Sequence, residues 1–294
     1  QPSTITGSTA PTFGTTQIYS VSNVTGVTYT WVLPGDWTLS SGQGTNSITV
    51  VVGIDSGNVQ VTSSNSCGGG TPRELGVTPV KGTPTITWPT TTAITYGAQL
   101  STAALSGGSA TYLSNTITGT YAYTAPTTVP NAGSYSAQVR FTPDDQTRYN
   151  TVDGNVTVTV NKRAITVTAD NKTKTYGDDD PPLTYSKTAG DLYGTDELTG
   201  TPTRVTGNDV GSYAINKGGV NVTPTSGNYS ITWTVGRTLT ISKRDVTVTP
   251  IAGQSKVYDG KDRISDPIIL FEAAGLLSGE LPEDAFTGAL SRNS

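Results

Sequence analysis

The chain has 294 residues, which is the length of about two to four domains, and a formal net charge of −4. It contains no histidine and one cysteine, so the common nucleophile–histidine pairs and histidine metal sites are excluded. No basic cluster is larger than a Lys–Arg pair, which excludes a nucleic-acid partner because such a partner requires a basic face. We therefore expect no enzyme activity and assign no catalytic and no cofactor-binding residue.

Residue usage points to an all-β, or mostly β, protein. Thr, Val, Ile and Tyr, which suit a pleated sheet surface, are plentiful, and long runs of helix-forming residues at helical spacing are missing. The hydrophobic fraction of 33% is low for one large globule and favours several small domains with thin cores. No apolar run reaches the length that spans a bilayer.

The first segment, residues 1–80, predicts an immunoglobulin-like β-sandwich. Its short candidate strands recur about every ten residues and are separated by Gly-rich turns. Trp31 follows Tyr29 in an alternating run, at the place where an immunoglobulin-like domain buries a Trp against the opposite sheet. Cys67 lies in a Gly-rich stretch, and we interpret it as a small buried hydrophobic residue rather than a reactive thiol.

The rest of the chain is repetitive, with a period of about eighty residues. A Tyr-Gly motif stands at Ile94–Gly97 and returns at Lys174–Gly177 and, as Tyr-Asp-Gly, at Lys256–Gly260. These copies define repeats at 81–162, 163–243 and 244–294. The third repeat is truncated, and we expect its closing strands to follow Ser294 in a longer natural protein.

Within a repeat the apolar period is two, as in a sheet with one buried and one solvent-facing side. Ile165 and Val167 are predicted to face the core, with Thr166 and Thr168 opposite. At most one short helix is expected, in residues 188–198.

The Tyr-Gly motif predicts a turn in which glycine is needed for positive φ or for a close backbone approach. The tyrosines are interpreted as core or hinge residues. The positions concerned are Tyr96, Gly97, Tyr176, Gly177, Tyr258 and Gly260. The junctions between repeats lack Gly and Pro, and such short linkers should limit swing and produce an extended rod.

Residues 1–80 resemble the PKD-like, immunoglobulin-type domains of exported Bacteroidota proteins. The resemblance rests on Tyr29-x-Trp31, Gly42-x-Gly44 and Asn65-x-Cys67-Gly68.

The remainder is similar to tandem MBG, or "mostly β-grasp", repeats. The residues that carry this resemblance are Ile86–Pro89, Ala93–Gly97, Phe141–Asn150 and Lys174–Tyr185. Such arrays occur in very large bacterial surface proteins, including gliding-type adhesins exported by the type IX pathway. The resemblance therefore implies tandem β-grasp-like domains and an extracellular location on the bacterial cell surface, although a fold does not by itself fix a function.

Acidic loops are the remaining candidates for chemistry. Asp144–Asp145 and the run Asp178, Asp179, Asp180 lie beside proline, where Asp commonly orders turns through backbone hydrogen bonds. The second run is also a calcium candidate, because Ca²⁺ prefers oxygen ligands in loops and would stiffen a rod. Apart from this calcium hypothesis we expect no cofactor. Glycosidase-type catalysis is not favoured, because it needs two carboxylates in a cleft.

Two functions stay open at this point. In the first, the chain is a stalk or spacer of a large surface adhesin, whose parts outside this segment bind a surface glycan or another extracellular ligand. The full protein would then also contact the outer-membrane secretion and attachment machinery. In the second, the chain is an accessory carbohydrate-binding portion of a secreted multidomain hydrolase. Direct repetition without an aromatic platform favours the first.

Overall fold

The computed structural model describes residues 1–224, 226–255 and 270–281, and these residues form an all-β protein. The predicted fold class is therefore confirmed. The described ranges contain no α-helix, only 3₁₀ turns at Leu100–Thr102 and Ser226–Asn228. The chain divides into two compact units, Gln1–Lys162 and Arg163–Ser294. No helix in the described part of the chain is both long and apolar enough to cross a membrane.

The first unit contains sixteen described strands, which begin and end as follows: β1 Thr16–Ser20, β2 Thr28–Val32, β3 Thr38–Ser41, β4 Ser47–Val51, β5 Gly57–Asn65, β6 Gly68–Gly69, β7 Arg73–Val77, β8 Thr85–Thr87, β9 Thr90–Thr91, β10 Ile94–Thr95, β11 Leu105–Ser106, β12 Ser109–Tyr112, β13 Asn115–Thr116, β14 Gly119–Tyr123, β15 Gly133–Pro143 and β16 Val152–Asn161.

Strands β1 to β7 form the predicted sandwich. One sheet has the order β1–β4–β3 and the other β2–β5–β6, with β7 also paired to β5. Alternate residues of both sheets meet in one core, because successive side chains of a strand point to opposite faces. Trp31 is 4% exposed in this core, and its indole Nε1 donates to the Thr45 carbonyl oxygen over 2.9 Å. The buried position predicted for Trp31 is confirmed.

Cys67 departs from its predicted environment, because it is exposed. It lies in the turn between β5 and β6, where Asn65 pairs with Gly68. The Asn65 side-chain oxygen accepts the Cys67 N–H over 2.9 Å, and Gly68 has φ +124°. A tight turn of this kind holds its central residues in solvent, so the interpretation of Cys67 as a buried hydrophobic residue was wrong.

The second half of the first unit is built on a sheet of order β10–β16–β15–β14. Strands β15 and β16 pair antiparallel along most of their length, and β10 runs parallel to β16. Val156, Val158 and Val160 of β16 are buried, while Thr157 and Thr159 are exposed. Smaller sheets of order β13–β12–β8 and β11–β9 complete this half.

Phe13 joins the sandwich to this second half. Its ring meets the Tyr149 ring edge to face at 5.8 Å, and the Tyr112 hydroxyl donates to the Phe13 carbonyl oxygen over 2.7 Å. The Arg148 guanidinium lies over the same ring at 5.6 Å. Aromatic and cation–π contacts of this kind stabilise a specific arrangement of the two halves within the unit.

The second unit contains eleven described strands: β17 Arg163–Ala169, β18 Lys172–Thr175, β19 Tyr185–Ala189, β20 Glu197–Thr199, β21 Thr203–Arg204, β22 Gly211–Asn216, β23 Asn221–Thr223, β24 Tyr229–Thr234, β25 Thr238–Ser242, β26 Thr247–Pro250 and β27 Phe271–Ala274. The helix expected in residues 188–198 is absent from these described residues. That stretch instead contains the end of β19, a turn and the start of β20, because Glu197–Thr199 pairs with Asn221–Thr223 and draws the chain into a sheet.

Two mixed sheets organise this unit. Their orders are β19–β17–β24 and β18–β25–β22–β21, and each includes one parallel pair, β17 with β24 and β18 with β25. Ile165 and Val167 of β17 are 1% and 0% exposed, as the alternating pattern predicted. Leu239 and Ile241 of β25 are buried in the same way.

Residues on either side of position 243 adopt matching local structures. Thr166 pairs with Ala189, and Thr247, the corresponding residue one period later, pairs with Ala274. Strands β26 and β27 form a two-stranded sheet. The third Tyr-Gly motif, Lys256–Gly260 with Tyr258, lies outside the described residues.

Candidate functional site

The acidic run Asp178–Asp180 follows directly from strand β18. Lys174 and Thr175 pair in parallel with Ile241 and Ser242, which fixes the end of the strand. The chain then turns at Gly177, which has φ +85°, and the Asp178 N–H donates to the Thr175 carbonyl oxygen over 3.1 Å. The positive φ predicted for Gly177 is therefore confirmed, and Gly97 has φ +94° in the first repeat.

Asp180 lies between two cationic side chains. Lys174 Nζ is 2.8 Å from Asp180 Oδ1, and Arg204 donates to both carboxylate oxygens, Nη2 to Oδ1 over 3.0 Å and Nε to Oδ2. The Lys174 and Arg204 side chains are only 8% and 13% exposed, whereas that of Asp180 is 40% exposed. Nearly buried cations need a counter-charge, and the two-bonded Arg–carboxylate geometry is the strongest form of that pairing.

This surrounding lowers the pKa of Asp180 from an ordinary value of 3.8 to about 2. The hydrogen bond from Arg204 is the main cause, followed by the hydrogen bond from Lys174. Both favour the ionised carboxylate. Asp180 is therefore a permanently charged partner at neutral pH, the opposite of a proton donor tuned for acid catalysis.

Arg204 is itself held by several further contacts. Its Nη1 donates to the Val205 and Gly207 carbonyl oxygens over 2.9 and 2.7 Å. Its guanidinium lies over the Tyr213 ring at 5.4 Å. These contacts fix the orientation of the Arg204 guanidinium that binds Asp180. Through this ion pair the acidic turn is held against strands β21 and β22.

The other two aspartates have different surroundings. Asp178 Oδ1 is 3.3 Å from Nη1 of Arg244, and the Asp178 carbonyl oxygen accepts from Lys174 Nζ over 2.9 Å. Asp179 is exposed and makes no ion pair with any residue that the structure describes. The carboxylates of Asp178 and Asp180 are thus paired with different cations, Arg244 for Asp178 and Lys174 with Arg204 for Asp180.

Asp144 and Asp145 order a turn. The Asp145 carboxylate accepts the Thr147 and Arg148 N–H groups over 3.0 and 3.1 Å and pairs with the Arg148 guanidinium over 3.0 Å. The Thr147 hydroxyl and these partners lower the pKa of Asp145. The Asp144 N–H donates to the Thr118 carbonyl oxygen over 3.0 Å. Asp145 therefore has the turn-ordering role expected from the sequence.

A divalent metal would require oxygen ligands free of competing cations. In residues 1–224, 226–255 and 270–281, no group of three or more acidic, histidine or cysteine side chains is arranged to hold a metal ion. Asp180 is occupied by Lys174 and Arg204, and calcium at the acidic run stays a prediction.

Sequence reasoning did not identify Lys174, Arg204 and Arg244 as partners of the acidic run. A signal for two of them was present, because arginine recurs at equivalent positions of successive repeats. Arg163 and Arg244 both follow the lysine that ends a repeat, and Arg204 has its counterpart in Arg292. A charged residue that recurs at equivalent positions of successive repeats is a candidate for a contact that each repeat makes.

Comparison with known families identifies two domain types. Residues 1–77 match the family model described as a PKD-like domain, and residues 165–240 match the one described as an MBG domain of the YGX type. Both are non-catalytic module types, and together they indicate an extracellular β-domain module. No curated protein matches the chain.

Three solved structures with some likeness to the chain are from N-cadherin, a protocadherin and a desmocollin. The crystal structure of Drosophila N-cadherin EC1-4 has a TM-score of 0.28 and 10% identity, covering 81% of this chain and 71% of that one. The protocadherin GammaB4 extracellular domain gives 0.26 and 9%, covering 91% and 54%. The human desmocollin-1 ectodomain gives 0.25 and 12%, covering 77% and 58%. Likeness at this level supports no argument about the fold or the function.

The bounds of the two family matches agree with the bounds of folded parts of the chain. Residues 1–77 coincide with the sandwich of strands β1 to β7, and residues 165–240 coincide with the two mixed sheets of the second unit. Residues 1–77 are therefore similar to a PKD-like domain, and residues 165–240 are similar to an MBG domain of the YGX type.

Proposed function

We propose that the chain is a structural stalk or spacer segment of a large bacterial cell-surface adhesin, and that it positions a distal binding region. Parts of the protein outside residues 1–294 bind a surface glycan or another extracellular ligand in this proposal. Outer-membrane secretion and attachment machinery exports and holds the full protein. The segment itself is not an enzyme and forms an extended rod of domains, with tandem repeats at 81–162, 163–243 and 244–294.

The observation that carries the proposal is that the charged side chains at the acidic turn form ion pairs within the fold. Asp180 is paired with Lys174 and Arg204, and Arg204 is held in turn by two backbone carbonyl oxygens and the Tyr213 ring. This cluster links a turn to a sheet edge, and its Asp180 carboxylate is paired with two cations. Stabilising the fold is the one role that all these contacts share.

The distribution of the core also supports a spacer. The sandwich has its own buried cluster around Tyr19 and Trp31, and a second cluster surrounds Phe141 in the other half of the first unit. The second unit buries Ile165, Leu239 and their neighbours. Modules that each bury their own apolar residues add length without changing the stability of distant modules.

Carbohydrate binding within the segment has less support. Sugar sites usually present aromatic side chains with one face in solvent. In the described ranges Tyr193 is the only aromatic residue classed as exposed, while Trp31 and Trp37 belong to the sandwich core. The accessory role in a secreted hydrolase is therefore the outcome against which the spacer role is tested.

The test is deletion of one complete repeat, Arg163–Lys243, from the full-length protein. We expect the neighbouring domains to stay folded and the purified protein to bind its ligand with unchanged affinity, while adhesion between cells falls modestly through lost reach. Abolished binding by the purified deletion protein, with every other domain folded, would show that this repeat is a binding module. A glycan-array signal from residues 1–294 alone would support the accessory carbohydrate-binding role instead.

A further inference from the structure

The turn at Tyr176 and Gly177 contacts residues that follow Lys243, at the start of the next repeat in the sequence. Arg244 makes the first connection. Its Nε donates to the Gly275 carbonyl oxygen over 3.0 Å, and its Nη1 donates to the Tyr176 carbonyl oxygen and to Asp178 Oδ1, each over 3.3 Å. One guanidinium therefore links the turn of one repeat to the loop of the next.

A second turn, Leu277–Glu280, provides the other contacts. The Glu280 N–H donates to the Leu277 carbonyl oxygen over 3.1 Å, and the Glu280 carboxylate accepts the Leu277 N–H over 2.9 Å. The same carboxylate is near enough to the Tyr176 hydroxyl to raise the pKa of Tyr176. This turn is thus closed on itself and places the Glu280 carboxylate beside Tyr176.

Gly177 gives the contact its steric specificity. A Cβ atom built on Gly177 would lie 2.4 Å from Leu277 Cδ1 and 2.5 Å from Cδ2, well inside van der Waals contact. Leu277 is half-buried although it belongs to a short loop. The absence of a side chain at Gly177 therefore creates the space that Leu277 occupies.

Both halves of this contact recur along the chain. The MBG repeat at 163–243 has Arg163 and Leu192 at the positions that match Arg244 and Leu277. Arg163 Nε donates to the Asp191 carbonyl oxygen over 2.7 Å, much as Arg244 donates to that of Gly275. The first repeat has its own Tyr96 and Gly97. The Tyr-Gly motif and the Arg and Leu positions therefore each recur in the sequence.

We propose that the Tyr-Gly turn is an interaction surface whose partner is the beginning of the next repeat, and that this contact, rather than the short linker, sets the angle between successive repeats. The two ends of a repeat are different and complementary, which is the geometry of head-to-tail association. A short linker limits the distance between two repeats but still lets them rotate relative to each other. Domains joined through a small interface move relative to one another by default. Three separate contacts at Tyr176, Gly177 and Asp178 remove that rotation.

The experiment measures distances between two spin labels by double electron–electron resonance. The labels are placed at Asn216→Cys in β22 and Glu272→Cys in β27, both exposed positions, in a Cys67→Ser background. The parent protein should give one narrow distance distribution. Gly177→Ala should shift and broaden it, because Leu277 must leave its position. Tyr176→Phe, which removes only the hydroxyl group beside Glu280, should broaden it less.

Gly236→Ala is the matched control. Gly236 has φ +86°, almost the same as the +85° of Gly177, but a Cβ there meets no atom within 4 Å. It reproduces the backbone strain without displacing a neighbour and should leave the distance distribution unchanged. If Gly177→Ala unfolds the repeat, as reported by Trp233 fluorescence, Leu277→Ala makes the same test from the opposite side.

An unchanged distribution in both Tyr176→Phe and the Gly177 or Leu277 variant would show that the linker sets the angle, because the linker is intact in all of them. A distribution that is already broad in the parent protein would also overturn the proposal. Neither result bears on the spacer function, which depends on ligand binding after deletion of a repeat.

Discussion

At the residue scale, Asp180 provides the counter-charge for two nearly buried cations, Lys174 and Arg204. Replacing it by Asn leaves Lys174 and Arg204, which are 8% and 13% exposed, without their counter-charge. We expect Asp180→Asn to lower the free energy of unfolding by about 1–3 kcal/mol, between the values for an exposed and a buried ion pair. Asp179→Asn is the control, because Asp179 makes no ion pair in the described part of the chain. Urea unfolding of both variants measures the difference, and equal stabilities would contradict this account.

The pairing of Asp180 with Lys174 and Arg204 also predicts that the stability contributed by Asp180 is lost as the pH is lowered. The pKa of Asp180 is about 2 in the folded protein, against an ordinary 3.8. A carboxyl whose pKa is lowered by folding contributes stability that is fully present above the unfolded pKa and is lost as the pH falls toward the folded pKa. The stability gap between the parent protein and Asp180→Asn should therefore close between pH 3.8 and about 2. A gap that stays constant over this range would mean that the charge of Asp180 is not its cause.

Calcium binding at the acidic run is a hypothesis from the sequence that the cations around Asp180 argue against. Lys174 and Arg204 would repel a cation at Asp180, so we expect the melting temperature to be the same with calcium and with a chelator. The Asp178→Ala/Asp179→Ala double variant should give the same null response. A melting temperature that falls on chelation in the parent protein, but not in the double variant, would establish a calcium site at Asp178 and Asp179.

At the element scale, local patterns were predictable and distant contacts were not. The two-residue period correctly placed Ile165 and Val167 in the core, because it depends only on the pleat of one strand. The positive φ of Gly177 followed from its turn. The partner of Asp180 could not be deduced in this way, since Arg204 is 24 residues away and its approach depends on how β18 and β21 are placed in one sheet.

A substitution in strand β25 tests the apolar core of the second unit. Leu239 is fully buried between β18 and β22, with Lys172 and Tyr213 as its neighbours in register. Leu239→Ala should cost about 2–5 kcal/mol through lost burial and a cavity. Val235, which is 84% exposed, provides the control Val235→Ala, for which we expect no measurable change.

Hydrogen exchange read by mass spectrometry locates the effect of Leu239→Ala. Protection should fall throughout the sheet β18–β25–β22–β21 and stay unchanged in the sandwich of strands β1 to β7, which has its own core. Loss of protection in the sandwich as well would contradict the separation of the protein into modules that each bury their own residues.

At the scale of the whole molecule, the sequence predicted the class of protein better than its details. Repetition and alternation indicated several small all-β modules, and the PKD-like and MBG matches in residues 1–77 and 165–240 agree with that. The sequence pattern failed at Cys67 and in residues 188–198, where turn geometry and strand pairing override local preference.

The central claim, that this segment acts by its length, is tested most directly by small-angle X-ray scattering of residues 1–294. One compact domain of this size would have a radius of gyration of about 19 Å. We predict a value well above that, together with a pair-distance distribution that has the long tail of a rod. A radius of gyration near about 19 Å with a symmetrical distribution would contradict the spacer account.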